Sequence, residues 1–120
     1  MGSVVWVEDD PMIRKVVNAA LRSSGHELQF ASNGREGLAL VERVHPDVVF
    51  TDVSMPGMDG LQLADAIRAR PELADVRIVF VTASMQREQI DRYTTRGATF
   101  IAKPFSTAEL RAHVERLVTR

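Results

Sequence analysis

The chain has 120 residues, 45% hydrophobic and 26% charged, with a formal net charge of −1 and no cysteine. That size and composition fit one compact domain with a real core. The charge balance gives no electrostatic case for nucleic acid or an anionic membrane as partner, and the missing cysteine excludes disulfides and thiolate metal sites. No apolar run is long enough to span a bilayer and no signal-peptide pattern opens the chain, so the cytoplasm is the expected location.

Taken in order, Val4 to Val7 reads as a continuous apolar strand that ends in three acids, Glu8, Asp9 and Asp10. Asp10 followed by Pro11 is an N-cap with proline in the first helical position. Ile13, Val16, Val17, Ala20 and Leu21 recur at helical spacing, and Gly25 supplies the stop. A second strand covers Glu27 to Ala31. Asn33-Gly34 opens a helix with Leu38, Val41 and Val44 inward, ending before Pro46. Val48 to Thr51 is a buried, β-branched strand that stops at Asp52, and Pro56 and Gly57 then force a loop.

Leu61, Leu63, Ala64 and Ile67 mark a third helix that Asp59 caps and Pro71 breaks. Val76 to Val81 forms a fourth strand, ending in Thr82-Ala83-Ser84. A more polar helix runs from Met85 to Thr95, stopped by Gly97. Thr99 to Ala102 is a short fifth strand ending in Lys103-Pro104. Ser106 and Glu109 make a capping box for a last helix, with Leu110, Val114, Leu117 and Val118 inward. That helix consumes the chain to Arg120, so residues 1–120 are expected to be one domain without an output domain.

Alternation of apolar strands with helices predicts an α/β fold, a parallel sheet covered on both faces. Right-handed crossovers bring every strand's C-terminal end to one rim, where such folds bind ligands. The strands deliver Glu8, Asp9, Asp52, Thr82 and Lys103 there. Three carboxylates in one crevice repel each other unless a cation sits among them, and an all-oxygen set favours Mg²⁺ or Mn²⁺ over zinc. Thr82 can donate to a phosphate oxygen and Lys103 can act as a point charge. Lys103 is one of only two lysines among fifteen basic residues, which sets its strand-end position apart. Together these groups fit phosphoryl transfer to Asp52, giving an acyl phosphate.

The motifs Val7-Glu8-Asp9-Asp10-Pro11, Asp52 through Gly60, Val81-Thr82-Ala83, Gly97-Ala98 and Phe100-Ile101-Ala102-Lys103-Pro104-Phe105 resemble, in order and spacing, a two-component response-regulator receiver domain. The resemblance covers essentially the whole chain and is to the single-receiver, chemotaxis-regulator type. It implies a flavodoxin-like five-stranded sheet of order 2-1-3-4-5 with five helices. It implies that Asp52 accepts a phosphoryl group from a histidine kinase or histidine phosphotransfer protein. Glu8 and Asp9 would be the acidic pair, with Mg²⁺ bound by Asp9, Asp52 and the backbone carbonyl of Ser54, and Glu8 reaching it through water. Thr82 and Phe100 would be the switch pair, Lys103 would contact the phosphoryl group, and Ser54 and Ser84 would tune dephosphorylation. The partner-binding face would be that of the fourth helix, fifth strand and fifth helix, with no direct nucleic acid or membrane contact; a phosphorylation-dependent dimer is left open.

The blander readings are local. Asp10 and Asp59 read first as helix caps, Trp6 as core, and Phe100 as core that can also switch. His26, His45 and His113 lie on separate elements without metal-ligand spacing and read as structural or solvated. Interleaved acids and arginines on the last two helices read as a solvated face. An aspartyl-phosphate phosphohydrolase is disfavoured because such enzymes usually carry a second acid two residues after the nucleophile, where Ser54 stands. A degenerate receiver, binding partners without phosphorylation, is the alternative. Such domains tend to lose the acids or the lysine, and here all five rim groups are present. The expected role is a signalling switch that catalyses only its own phosphoryl transfer and autodephosphorylation.

Overall fold

The five apolar stretches pair into one parallel sheet in the computed structural model, which describes residues 2–22, 25–83, 87–95, 97–103 and 105–118. In chain order the elements are β1 (Ser3–Val7), α1 (Pro11–Leu21), β2 (Glu27–Ala31), α2 (Gly34–Val44), β3 (Val48–Asp52), α3 (Gly60–Arg68), a 3-10 turn (Pro71–Leu73), β4 (Arg77–Thr82), α4 (Arg87–Thr94), β5 (Thr99–Ala102) and α5 (Thr107–Val118). The strand order is β2-β1-β3-β4-β5, the flavodoxin-like α/β topology that the motifs implied. β3 lies at the centre and every one of its residues is buried.

The two-residue period of the strands divides the core. Val5, Val7, Val49, Ile78 and Phe80 face Leu40, Val41, Leu63, Ala64 and Ile67 of α2 and α3, with Tyr93 of α4. Val4, Trp6, Val48, Phe50, Val79, Val81 and Ile101 face Val17, Ala20 and Leu21 of α1 and Leu110, Val114 and Leu117 of α5. Burying both faces is what a near-continuous apolar strand requires.

Helix starts follow the capping chemistry. Asp10 accepts from the Met12 N–H, Asn33 from Glu36, and Asp59 from Gln62, whose side chain returns the bond. Ser106 and Glu109 form both bonds of their box. Helix α2 stops at His45, which adopts φ 50 before Pro46, because the residue preceding a proline is crowded out of the helical region.

Several boundaries differ from expectation; β1 begins at Ser3, β3 takes in Asp52 and α4 ends at Thr94. Helix α1 ends at Leu21, and Gly25 instead takes φ 84 on the way into β2. The 3-10 turn takes Val76 out of β4: the Val76 N–H bonds Leu73 O, and the ladder begins with Arg77 N–H to Asp47 O. β4 therefore runs one residue later, through Thr82. The expected start of the fourth helix at Met85 and the last two residues of the expected final helix, 119 and 120, fall outside the described residues.

Candidate functional site

The rim is built by strands that each carry one residue beyond a core layer. Trp6, Phe50 and Ile101 lie on the α1/α5 face, and Glu8, Asp52 and Lys103 follow each of them by two residues. The hydrogen-bond ladder continues past the strand ends, with Glu8 N–H donating to Ala31 O and Lys103 N–H to Thr82 O. Strand periodicity therefore carries the three charged groups up from one apolar floor.

Glu8, Asp9 and Asp52 each bring a carboxylate oxygen within 4.8 Å of the others. Glu8 is 1% exposed and Asp52 is buried, while Asp9 faces solvent. The ammonium of Lys103 approaches from β5, with Nζ 3.2 Å from Asp52 Oδ2 and 3.7 Å from Glu8 Oε1. Glu8 Oε2 accepts from the Asp10 N–H at 3.2 Å, and the Arg14 guanidinium donates to the Glu8 carbonyl at 2.6 Å. Burial, and then the neighbouring Asp52 carboxylate, push the Glu8 carboxyl up from 4.5 to about 7; the Asp10 N–H and Lys103 act the other way. A buried carboxyl crowded by like charge resists ionisation.

The set fits a hard divalent cation. Its donors are all carboxylate oxygens, and Glu8 Oε1 is buried with no hydrogen-bond partner among the described residues. A buried acceptor left unpaired is costly, and a cation with oxygen ligands, Mg²⁺ or Mn²⁺, would satisfy it. Glu8, Asp9 and Asp52 are the side chains that would hold one.

Thr82 ends β4, one step beyond the Asp52–Val81 register pair, and is half-buried. Phe100 does not reach the rim. It lies on the opposite face from Asp52 and Lys103, half-buried, its ring 5.1 Å from that of Phe80. Ser54 is exposed in the loop directly after Asp52. Ser84 lies outside the described residues. Of the histidines, His26 accepts the Gly2 N–H at Nδ1 and meets Glu115 at Nε2, and His113 pairs with Arg116.

Several contributors have a packing role that the motifs did not assign. Gly60 opens α3 against the backbone of the β3 end: an added Cβ would clash with Asp52 O and lie 2.9 Å from Val53 Cα. Gly34 is similarly tight, with Met58 O 2.5 Å from an added Cβ. The two glycines let α2 and α3 close on the loop after β3. Tyr93 packs edge-on against Phe80 at 5.3 Å, with its hydroxyl 3.3 Å from Asp65 Oδ2. Nothing in the spacing of Tyr93 or Asp65 signals that pairing.

The family model for the response regulator receiver domain matches residues 4–115. Chemotaxis protein CheY-3 of Vibrio cholerae is 34% identical over 119 residues, covering 98% of this chain and 92% of its own. RpaA of Synechocystis, a DNA-binding dual master transcriptional regulator, is 29% identical over 121 residues, and the chain spans only 50% of its length. Among solved structures, CheY4 of Vibrio cholerae superposes with a TM-score of 0.89 at 31% identity, over 98% of this chain and 99% of that one. The receiver domain of sensor histidine kinase PA1611 from Pseudomonas aeruginosa, described with a magnesium ion coordinated in its active site cleft, gives 0.87 at 28% identity, over 99% and 98%. The strand order and the family match over residues 4–115 agree, and the chain belongs to the response regulator receiver domains of two-component signalling.

Proposed function

We propose that residues 1–120 form one phosphoacceptor receiver domain in which Asp52 takes a phosphoryl group from a histidine kinase or histidine phosphotransfer protein. The observation that carries the reading is the single ammonium of Lys103 drawn between two buried carboxylates, 3.2 Å from Asp52 and 3.7 Å from Glu8. An acid cluster with two buried members and the Lys103 ammonium at its edge suits an incoming group that is itself anionic and arrives with a metal.

In this reading an Asp52 carboxylate oxygen attacks phosphorus, the P–N bond to the donor imidazole breaks, and the imidazole takes up a proton. When bound by Asp9, Asp52 and the Ser54 carbonyl, with Glu8 behind them, Mg²⁺ supplies positive charge that offsets the carboxylates and the phosphoryl oxygens. Lys103 exchanges its contact with Asp52 for a phosphoryl oxygen. Thr82 donates its hydroxyl proton to a second oxygen, and Phe100 turns inward beside Phe80. Ser54 and Ser84, small and polar, admit the water that hydrolyses the acyl phosphate.

The donor protein covers the apolar cleft beside Lys103, which is lined by Ile13, Val16, Ala83 and Phe105. Met12 and Val16 are the large hydrophobic residues most exposed among the described residues, at 69% and 56%, and Val16 lines this approach. The downstream partner, a separate protein or an output domain, reads the face of α4, β5 and α5. Phosphorylation shifts a two-state equilibrium at that face. Amide NMR spectra with and without beryllofluoride and Mg²⁺ test this. Shifts at Thr82, Phe100 and along α4, β5 and α5 are expected, and unchanged spectra on that face refute the switch.

A further inference from the structure

The floor of the site contains a feature that the acceptor chemistry does not use. Trp6, the only tryptophan of the chain, is fully buried two residues before Glu8. Its ring stacks on Phe50, its register partner on β3, with centroids 4.7 Å apart and planes 10° from parallel. Phe50 lies two residues before Asp52. The indole also meets Phe105 at 6.1 Å, tilted by 59°, and Phe105 follows Lys103 by two residues. One rigid ring system therefore touches the strands under both acids and the segment that carries the lysine.

The indole is an uneasy choice for plain core filling. Its Nε1–H is buried with no hydrogen-bond partner among the described residues, and a buried donor left unpaired costs free energy that a phenylalanine or leucine would avoid. What the indole adds is reach: it spans from Phe50 to Phe105. Aromatic rings packed in this way hold a defined separation.

We propose that Trp6 is a positioning residue for phosphoryl transfer, its indole clamped between Phe50 and Phe105 so as to set where Lys103 sits over Asp52. The inference rests on the function proposed above. Lys103 Nζ lies 3.2 Å from Asp52 Oδ2, and a displacement of about 1 Å in such a group can cost about a hundredfold in rate. The acids that would hold the metal stand just past the end of β1 and at the end of β3, and the pairing of these strands runs from Val4↔Val48 to Val7↔Thr51 without contribution from Phe105. Losing the clamp thus slows phosphoryl transfer while leaving cation affinity nearly unchanged. A general loosening of the core would weaken both.

The test compares wild type with Trp6→Leu, Phe105→Leu and the double variant. Three quantities are read well below each melting temperature: the rate of phosphorylation by acetyl phosphate, the Mg²⁺ dissociation constant by calorimetry, and the emission of Trp6 where it remains. Each single variant should lose about tenfold or more in rate with Mg²⁺ affinity within about twofold, and the double should lose no more than the worse single, because both break one contact. In wild type, beryllofluoride with Mg²⁺ should change the Trp6 emission, and Phe105→Leu should remove that change. Phe105 is half-buried, so its variant remains informative if Trp6→Leu does not fold. Phosphorylation at the wild-type rate in Phe105→Leu, or equal losses of rate and Mg²⁺ affinity in the singles, overturns the inference. A wild type that takes no phosphoryl group overturns the function proposed above, and this inference with it.

Discussion

Stability of the metal-free protein should fall as pH rises from about 5 to about 7, opposite in sign to the usual behaviour of a paired carboxylate. Glu8 is the cause. Its carboxyl is 1% exposed, Oε1 has no hydrogen-bond partner among the described residues, and Asp52 stands beside it. Its pKa is raised from 4.5 to about 7, chiefly by burial and then by Asp52. A folded-state value above the unfolded one means that the fold favours the protonated acid. The stabilisation is complete below about 4.5 and is lost as pH climbs through about 7, with a ceiling of about 3 kcal/mol. Mg²⁺ reverses the trend because it binds the ionised acids; at about a hundredfold excess over its dissociation constant it returns about 2.7 kcal/mol. Urea unfolding at several pH values, in chelator and in Mg²⁺, measures both curves, which should diverge as pH rises. Glu8→Gln isolates the group, since His113, whose pKa burial and then Arg116 lower, contributes with the opposite sign in part of that range. A flat metal-free curve in wild type, or the same decline in Glu8→Gln, refutes the reasoning.

Other substitutions probe the construction of the site. Gly60→Ala places a methyl in clash with Asp52 O, a backbone atom that cannot swing aside; urea denaturation should show a loss of about 1–3 kcal/mol and acetyl phosphate assays a slower reaction. Full stability in Gly60→Ala would show that α3 can retreat from the strand end. Val16→Asp puts a charge on the apolar approach at a position 56% exposed, so it should weaken transfer from a phosphohistidine protein about tenfold or more while the reaction with acetyl phosphate keeps its rate. Equal loss with both donors contradicts that surface. Glu36 is held below its ordinary value by the side chain and then the backbone N–H of Ser32, and Glu109 by the backbone N–H and then the side chain of Ser106. The stability they add is present above about pH 4.5 and is lost as pH falls through their lowered values. Acid unfolding of Ser106→Ala should therefore lack part of this dependence, and an unchanged acid limb would contradict it.

Much of the fold was legible because local signals agreed. Asp10-Pro11, Asn33-Gly34, Asp59 and the Ser106–Glu109 box each cap the helix that their chemistry implied. The apolar runs between them are near-continuous, as strands of a doubly covered sheet are. The acid cluster was legible for a topological reason: once the strands are parallel, the residues after Val7, Thr51 and Ala102 share one rim, and Glu8, Asp52 and Lys103 do meet there. Contacts set by tertiary packing alone were not legible. The reach of Trp6 to Phe105 and the pairing of Tyr93 with Asp65 join residues far apart in the chain, and no local pattern records them; Gly60 closes the motif that begins at Asp52, but its seat against Asp52 O is a packing contact that the motif does not spell out. The 3-10 turn was missed because Pro71 reads equally as the end of a helix and as the start of a turn.

Intact mass after incubation with acetyl phosphate and Mg²⁺ tests the central claim most directly, run beside Asp52→Asn and a chelator control. One added phosphoryl group in the wild type, absent from Asp52→Asn and absent without metal, is the predicted result. A phosphoryl group that survives Asp52→Asn contradicts the assignment of the acceptor. A wild type left unmodified by acetyl phosphate and by a phosphohistidine protein alike contradicts the phosphoacceptor function itself.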